Sequence, residues 1–192
     1  SGQQVMQIIN TSRSPVKVEF EGLPAYLEMK TEPGILKPGE KGLIKGTYYA
    51  AKSNKWGNVT DYVRIKIDGT LQESLILNVK AKLTEDFSSL SKEEIKNAPV
   101  LKLAQNIFNL GQVNNSTNHN IEISLSNSGK RDLIIRHMET TCGCLIIQQE
   151  NQLSNIKSGK TGVVKVIFDA NRYEGKDTTE VVIYSNDPKN SE

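Results

Sequence analysis

The two cysteines of the chain stand two residues apart in Thr140-Thr141-Cys142-Gly143-Cys144-Leu145, a spacing that admits three kinds of chemistry. The first is a local disulfide. Residues i and i+2 of an extended strand lie roughly 6.6 Å apart, near the upper limit for a bridge. Gly143 can relieve this by taking a positive φ and turning the pair together. A bond that closes so small a ring restrains little of the unfolded chain, so it would be a weak staple. The second is thiol–disulfide exchange, which needs one thiol acidified by a helix N-terminus or a cation. No helix is predicted to begin here, the nearest cations in sequence are Arg136 and His137, and exchange enzymes usually space the pair Cys-x-x-Cys. The third is a soft metal. Cys142, Cys144, His137 and Met138 would suit copper(I) or zinc, but zinc sites pair their ligands twice and the sequence has no second pair. The pattern favours packed thiols or a structural disulfide over redox chemistry, and redox chemistry over a metal.

Other catalytic patterns are absent. The sequence holds no nucleophile elbow, no phosphate-cradling glycine loop and no zinc-protease helix. Its carboxylates fall mostly on the polar faces of predicted strands, where solvation is the default. His119, in the polar stretch 114–120, reads as a solvated loop residue. Neither an enzyme nor a bound cofactor is expected. Hydrophobic residues make up 36 % of the chain and charged residues 24 %, a globular balance. With 24 Lys and Arg against 22 Asp and Glu, the net charge is only +2. Cut after Asn97, the chain carries 14 basic and 12 acidic residues before the cut and 10 of each after it. Neither half has the basic surplus that a phosphate backbone demands, so nucleic-acid binding is not expected. No apolar run nears the roughly 20 residues of a membrane span.

The elements that must position the cysteines come from an internal repeat. Residues 36–50, LKPGEKGLIKGTYYA, align with residues 156–170, IKSGKTGVVKVIFDA. Upstream, the stretch opening at Asn10 aligns with the one opening at Asn127; downstream, Gly57 and Val63 match Gly175 and Val181. The first copy has Pro24-Ala25-Tyr26-Leu27 where the second has its cysteines. Ile121, Ile123 and Leu125 alternate with polar residues, as do Val63, Ile65 and Ile67, the period of a half-buried strand. Residues 74–83 read as a longer strand of the same kind. Turn chemistry at Lys37-Pro38-Gly39, Asn127-Ser128-Gly129 and Asn186-Asp187-Pro188 separates the strands. Ser91-Lys92-Glu93-Glu94 is a capping-box pattern that opens a short helix ahead of Pro99.

The expectation is an all-β chain of two tandem immunoglobulin-like β-sandwiches joined by a short, partly helical linker. The boundaries are 1–83, a linker at 84–97, and 98–192. Ser1-Gly2, with no initiator Met, reads as a tag scar on an excised piece. The second copy opens with Val100-Leu101-Lys102-Leu103, which the first does not match, and the first closes with a strand that the second does not match. The first is therefore expected to lack its first strand and the second its last. Open edges of this kind invite strand exchange between molecules.

Phe108-Asn-Leu-Gly, Leu125-Ser-Asn-Ser-Gly, Thr141-Cys-Gly-Cys, Ile156-Lys-Ser-Gly and Tyr184-Ser-Asn-Asp-Pro follow one another in the second copy. This series resembles the bacterial domain-of-unknown-function family 1573, abundant in Bacteroidetes, with the first copy a Cys-less variant. Leu145 stands where that family usually has Thr, and Ser158 where it has Pro. The resemblance implies an immunoglobulin-like fold and an exported, often envelope-associated protein in the periplasm, outer membrane or cell surface. It assigns no activity. The reading is a non-enzymatic structural or protein-interaction module of an envelope protein, with a protein partner whose identity is unknown. The alternative is a periplasmic thiol-redox or soft-metal protein acting through Cys142 and Cys144.

Overall fold

The computed structural model describes residues 1–148, 154–173 and 178–192, and its contacts divide into two units, Ser1–Leu83 and Thr84–Glu192. Gly175, matched above to Gly57, lies outside the described residues. Both units are all-β, built where apolar and polar residues alternate so that one face of each strand can leave water.

The first unit runs β1 (Gly2–Ile9), β2 (Val18–Glu21), β3 (Leu27–Glu32), β4 (Lys41–Tyr48), a helical turn α1 (Ala50–Ser53), β5 (Gly57–Ile67) and β6 (Thr70–Leu83). Gly2, set aside as part of a tag scar, opens β1 opposite Tyr48. Two antiparallel three-stranded sheets, β1-β4-β3 and β2-β5-β6, face each other. Leu27 and Tyr48 from one sheet meet Val63 and Leu83 from the other in a single cluster. Each such side chain contributes about 1.5–3 kcal/mol by leaving water. Alternation marked the last strand from residue 74, whereas β6 begins at Thr70. The reason is Asp68-Gly69, with φ of 49° and 79°, a two-residue hairpin turn whose twist suits the flanking strands and which pairs Ile67 with Thr70.

The second unit runs α2 (Lys92–Lys96), β7 (Leu101–Leu103), β8 (Asn118–Asn127), β9 (Leu133–Thr140), β10 (Leu145–Gln148), β11 (Asn155–Ile156), β12 (Thr161–Asp169), a 3-10 turn (Ala170–Arg172) and β13 (Val181–Ser185). The capping box is present, with the Ser91 side chain accepting from the Glu94 N–H and the Glu94 carboxylate accepting from the Ser91 N–H. Residue Glu85 belongs to this unit through paired bonds of 2.8 and 2.9 Å from the Arg136 guanidinium. Sheets β10-β12-β8-β7 and β11-β9-β13 enclose one core that includes Leu125, Val164 and Val166 from the first and Leu133, Met138 and Ile183 from the second.

The repeat survives in the hydrogen bonds. Asn127 is buried, and its amide donates to the Arg131 and Ile156 carbonyls while its Oδ1 accepts from Gly129 N–H. Asn10 does the same with Ser14, Leu36 and Ser12. Each buried carboxamide thereby answers backbone groups that would otherwise be stranded. β1 to β5 thus correspond to β8, β9, β10, β12 and β13. Among the described residues, no strand lies outside β13 as β6 lies outside β5, and none lies outside β1 as β7 lies outside β8.

Candidate functional site

Cys142 and Cys144 are joined in a disulfide with Cα atoms 5.1 Å apart, closer than a flat strand allows. The approach comes from a turn between β9 and β10, closed by Leu145 N–H donating to the Cys142 carbonyl at 3.1 Å. Gly143 contributes no positive φ, contrary to the sequence expectation, because the turn supplies the approach by itself. Cys144 is fully buried and its N–H donates to Cys142 Sγ at 3.0 Å; Cys142 packs against the rim of the core. Next to them, Asp169 N–H donates to the Cys144 carbonyl at 2.8 Å.

The first unit builds this turn without sulfur. Leu27 N–H donates to the Pro24 carbonyl at 2.9 Å and Tyr49 N–H to the Tyr26 carbonyl at 2.8 Å, with Leu27 facing Tyr48 as Leu145 faces Phe168. Pro24 fixes its φ by its ring, and in the second unit the disulfide ring does the equivalent work.

The soft-metal set does not assemble. Met138 and His137 are consecutive in β9, so their side chains leave opposite faces. Met138 enters the core, while His137 stacks on Tyr184 with ring centroids 6.2 Å apart. With the thiols bonded to each other, neither ligand has a thiolate to join. Among the described residues no group of three or more His, Cys, Asp or Glu side chains could hold a metal ion. Arg136, a possible acidifying cation, is engaged by Glu85. Burial, reinforced by donation to Glu139 at 2.8 Å, pushes the Tyr184 hydroxyl up to about 12. His119 is a correction as well: it lies in β8, pairs with Phe168 of β12 and is half-buried.

What the second unit does present is a groove of about 1240 Å³. Ile121, Ile123, Val166 and Phe168 form its floor, the irregular segment carrying Phe108 one wall, and β13 with Ile183 the other. One end is tied by the Asn186-Asp187 turn. Asn186 Oδ1 accepts from Ile134 N–H at 2.7 Å, and the fully buried Asp187 accepts from Leu101 N–H at 2.9 Å, bonding residues 86 apart in sequence. Sequence reasoning took this stretch as a turn and as the close of the series that carries the family resemblance, not as a tie to Leu101 and Ile134. The groove itself left one trace in sequence, the apolar residues Ile107, Phe108, Leu110 and Val113 in a stretch without strand alternation.

Residues 101–192 match the family model described as "Protein of unknown function (DUF1573)". A solved protein of unknown function from Porphyromonas gingivalis W83 shares the fold at 17 % identity and a TM-score of 0.65, over 99 % of this chain and 87 % of that one. The CupB2 chaperone of Pseudomonas aeruginosa overlays at 8 % identity and a TM-score of 0.31 over 96 % of this chain and 91 % of that one, a level that carries no argument. No curated protein matches.

Proposed function

We propose that the chain is a non-enzymatic interaction module of an exported bacterial envelope protein, working through sheet edges and the apolar groove of the second unit. The observation that carries this reading is the groove itself. An open apolar surface beside a strand edge is suited to another polypeptide, and among the described residues no group of three or more His, Cys, Asp or Glu side chains could hold a metal ion. The match between the Cys142–Cys144 turn and residues 24–27 supports an architectural role for the sulfurs. A disulfide also favours an oxidising compartment, the periplasm, outer membrane or cell surface. No helix among the described residues is long and apolar enough to cross a membrane.

The test is a redox one. The oxidised chain is assayed for catalysis of insulin reduction by dithiothreitol, beside the Cys142→Ala/Cys144→Ala variant and a glutathione titration. The expected result is no turnover above the variant and a bond that the glutathione range does not open. Turnover lost in the folded variant would replace the proposal with thiol–disulfide exchange through Cys142 and Cys144.

A further inference from the structure

β3 lies inside the chain path of the first unit, between β2 and β4, and is the outer strand of its sheet. Among the described residues no strand pairs with its far edge, and its counterpart β10 is likewise the outer strand of its sheet. The ladder fixes where its backbone groups point. Tyr49 N–H donates to the Tyr26 carbonyl, one step before the pairing of Leu27 with Tyr48. In an antiparallel ladder bonded and non-bonded pairs alternate. Glu28, Lys30 and Glu32 therefore address β4, while Met29 and Thr31 turn their N–H and C=O groups outward. The far side of β4 agrees. Asn10 N–H donates to the Glu40 carbonyl, so even-numbered residues of β4 address β1 and odd-numbered ones are left for β3. Leu27 also turns outward, but its N–H donates to the Pro24 carbonyl, which leaves its C=O.

The side chains of this edge alternate too. Leu27 and Met29 belong to the core side, and Glu28, Lys30 and Glu32 share the opposite face. The charges are unevenly met. Two ammoniums, Lys30 and Lys45, share the Glu32 carboxylate, so that cluster is left net positive. Glu28 is met by a neutral group, the Tyr49 hydroxyl at 2.9 Å. A recess of about 370 Å³, lined by Leu23, Leu27, Glu28, Met29 and Lys30 among others, lies along the strand. β10, which reads Leu145-Ile-Ile-Gln148, has no charge, and β2 carries Glu19 and Glu21 with no cation between them.

An edge of alternating sign discriminates between registers when it meets itself. Let two copies of β3 join antiparallel through their outward groups, centred on Met29. Met29 then faces Met29, Leu27 faces Thr31, and Glu28 faces Lys30, and a two-fold axis repeats each contact. Each Met29 N–H reaches the other Met29 carbonyl, and each Thr31 N–H the Leu27 carbonyl of the other copy. The adaptable Met29 side chains meet at the axis. Centred on Glu28 or on Lys30 instead, that residue would face itself, with like charges directly opposed. Centred on Leu27 or Thr31, the pairing would run off the strand, onto the Pro24 turn or onto Pro33, which has no N–H. Backbone direction and charge thus agree on one register.

We infer that β3 binds β3 of a second copy of this chain, antiparallel and centred on Met29, so that two three-stranded sheets become one across a two-fold axis. Main-chain bonds hold the pair, and the reciprocal Glu28–Lys30 contacts fix its register. Charges on an edge strand ordinarily ward off a neighbour; here their alternation admits one register and rejects those beside it. The contact is isologous and closes at a dimer. This names one edge and one partner within the interaction reading above and rests on it.

The test follows the full chain by sedimentation velocity over a concentration series, beside Glu28→Lys and Lys30→Glu. Both side chains are exposed, so the fold is kept, as circular dichroism checks. The expected result is a concentration-dependent rise that levels off at the dimer, with amide exchange at Met29 and Thr31 slowing as the dimer fills. Each variant alone opposes like charges on both sides of the axis and weakens dimerisation by about tenfold or more. Mixed in equal amounts, the two variants set every introduced charge against its opposite and pair about as tightly as the native chain. A mixture no tighter than either variant alone overturns the inference, as does a chain that stays monomeric at every concentration. Association that both variants leave unchanged, that grows past the dimer, or that protects β1, β10 or β13 instead of β3 overturns it too. A strict monomer beside an inert disulfide removes only this pairing, whereas catalysed insulin reduction removes the reading beneath it.

Discussion

At Asp61 burial pushes the carboxyl up, but the hydrogen bonds from Lys55 and the Tyr26 hydroxyl outweigh it, and the group ends below the ordinary carboxylate range. Lys55 is raised in turn, first by its bond to Asp61 and then by Tyr26, over whose ring it also sits at 4.9 Å. The depressed carboxyl contributes stability that is fully present above the unfolded-state pKa of about 3.9 and lost as pH falls through the native value. The raised ammonium contributes below its unfolded pKa of about 10.4 and loses this only as pH rises through its higher native value. Urea unfolding of the native chain beside Asp61→Asn should therefore show a constant gap of about 2 kcal/mol from pH 5 to 9, closing below pH 4. A gap that persists unchanged to pH 2 would mean that charge is not what holds this end of the first unit. Nothing in the sequence joins Asp61, Lys55 and Tyr26, which lie up to 35 residues apart. A bend at α1 and a register across two sheets bring them together.

Elements were easier to read than the contacts between them. The alternation of Ile121, Ile123 and Leu125 and the capping box at Ser91 are local patterns, and β8 and α2 follow them. Gly129 shows where local reading stops. As part of Asn127-Ser128-Gly129 it reads as a turn glycine, yet its value here is space: the backbone of residues 98–100 occupies the position its side chain would need. Gly129→Ala should displace the lead-in to β7, break the bonds from Val100 N–H to Asn127 and from Leu101 N–H to Asp187, and cost about 3 kcal/mol or more. Hydrogen exchange at Leu101–Leu103 reports it directly. Exchange as slow as in the native chain would show that the crossing tolerates a methyl group. Ser12, the matching residue of the first unit, has no backbone laid across it and already carries a side chain.

The molecule as a whole is a duplicated scaffold in which the copies solve the same local problem differently. The turn between the second and third paired strands is held by Pro24 in one unit and by a three-residue disulfide ring in the other. The chain-entropy argument gives so small a ring only about 1.5 kcal/mol. Reduction with dithiothreitol should lower the stability of the second unit by roughly that amount and leave the first unchanged, as read by thermal unfolding of the oxidised and reduced chain. Loss of all structure in the second unit on reduction would make the bond a condition of folding, and the parallel with residues 24–27 would fail.

By itself the sequence determined the all-β class, the duplication, the strands that alternate, the capped helix and the two-residue spacing of Cys142 and Cys144, with the disulfide one of three chemistries left open. All of these depend on side-chain period, turn residues or short spacing, which act within a few residues. Only the tertiary structure decided which face each residue took and what it met there. Met138 and His137 part company because β9 has a core on one side, Asp187 reaches Leu101 because the sheets close over 86 residues, and β13 lines a groove because nothing among the described residues lies where β6 lies on β5. Strand pairing and burial join positions far apart in the chain, and a residue's pattern of neighbours in sequence carries no record of them.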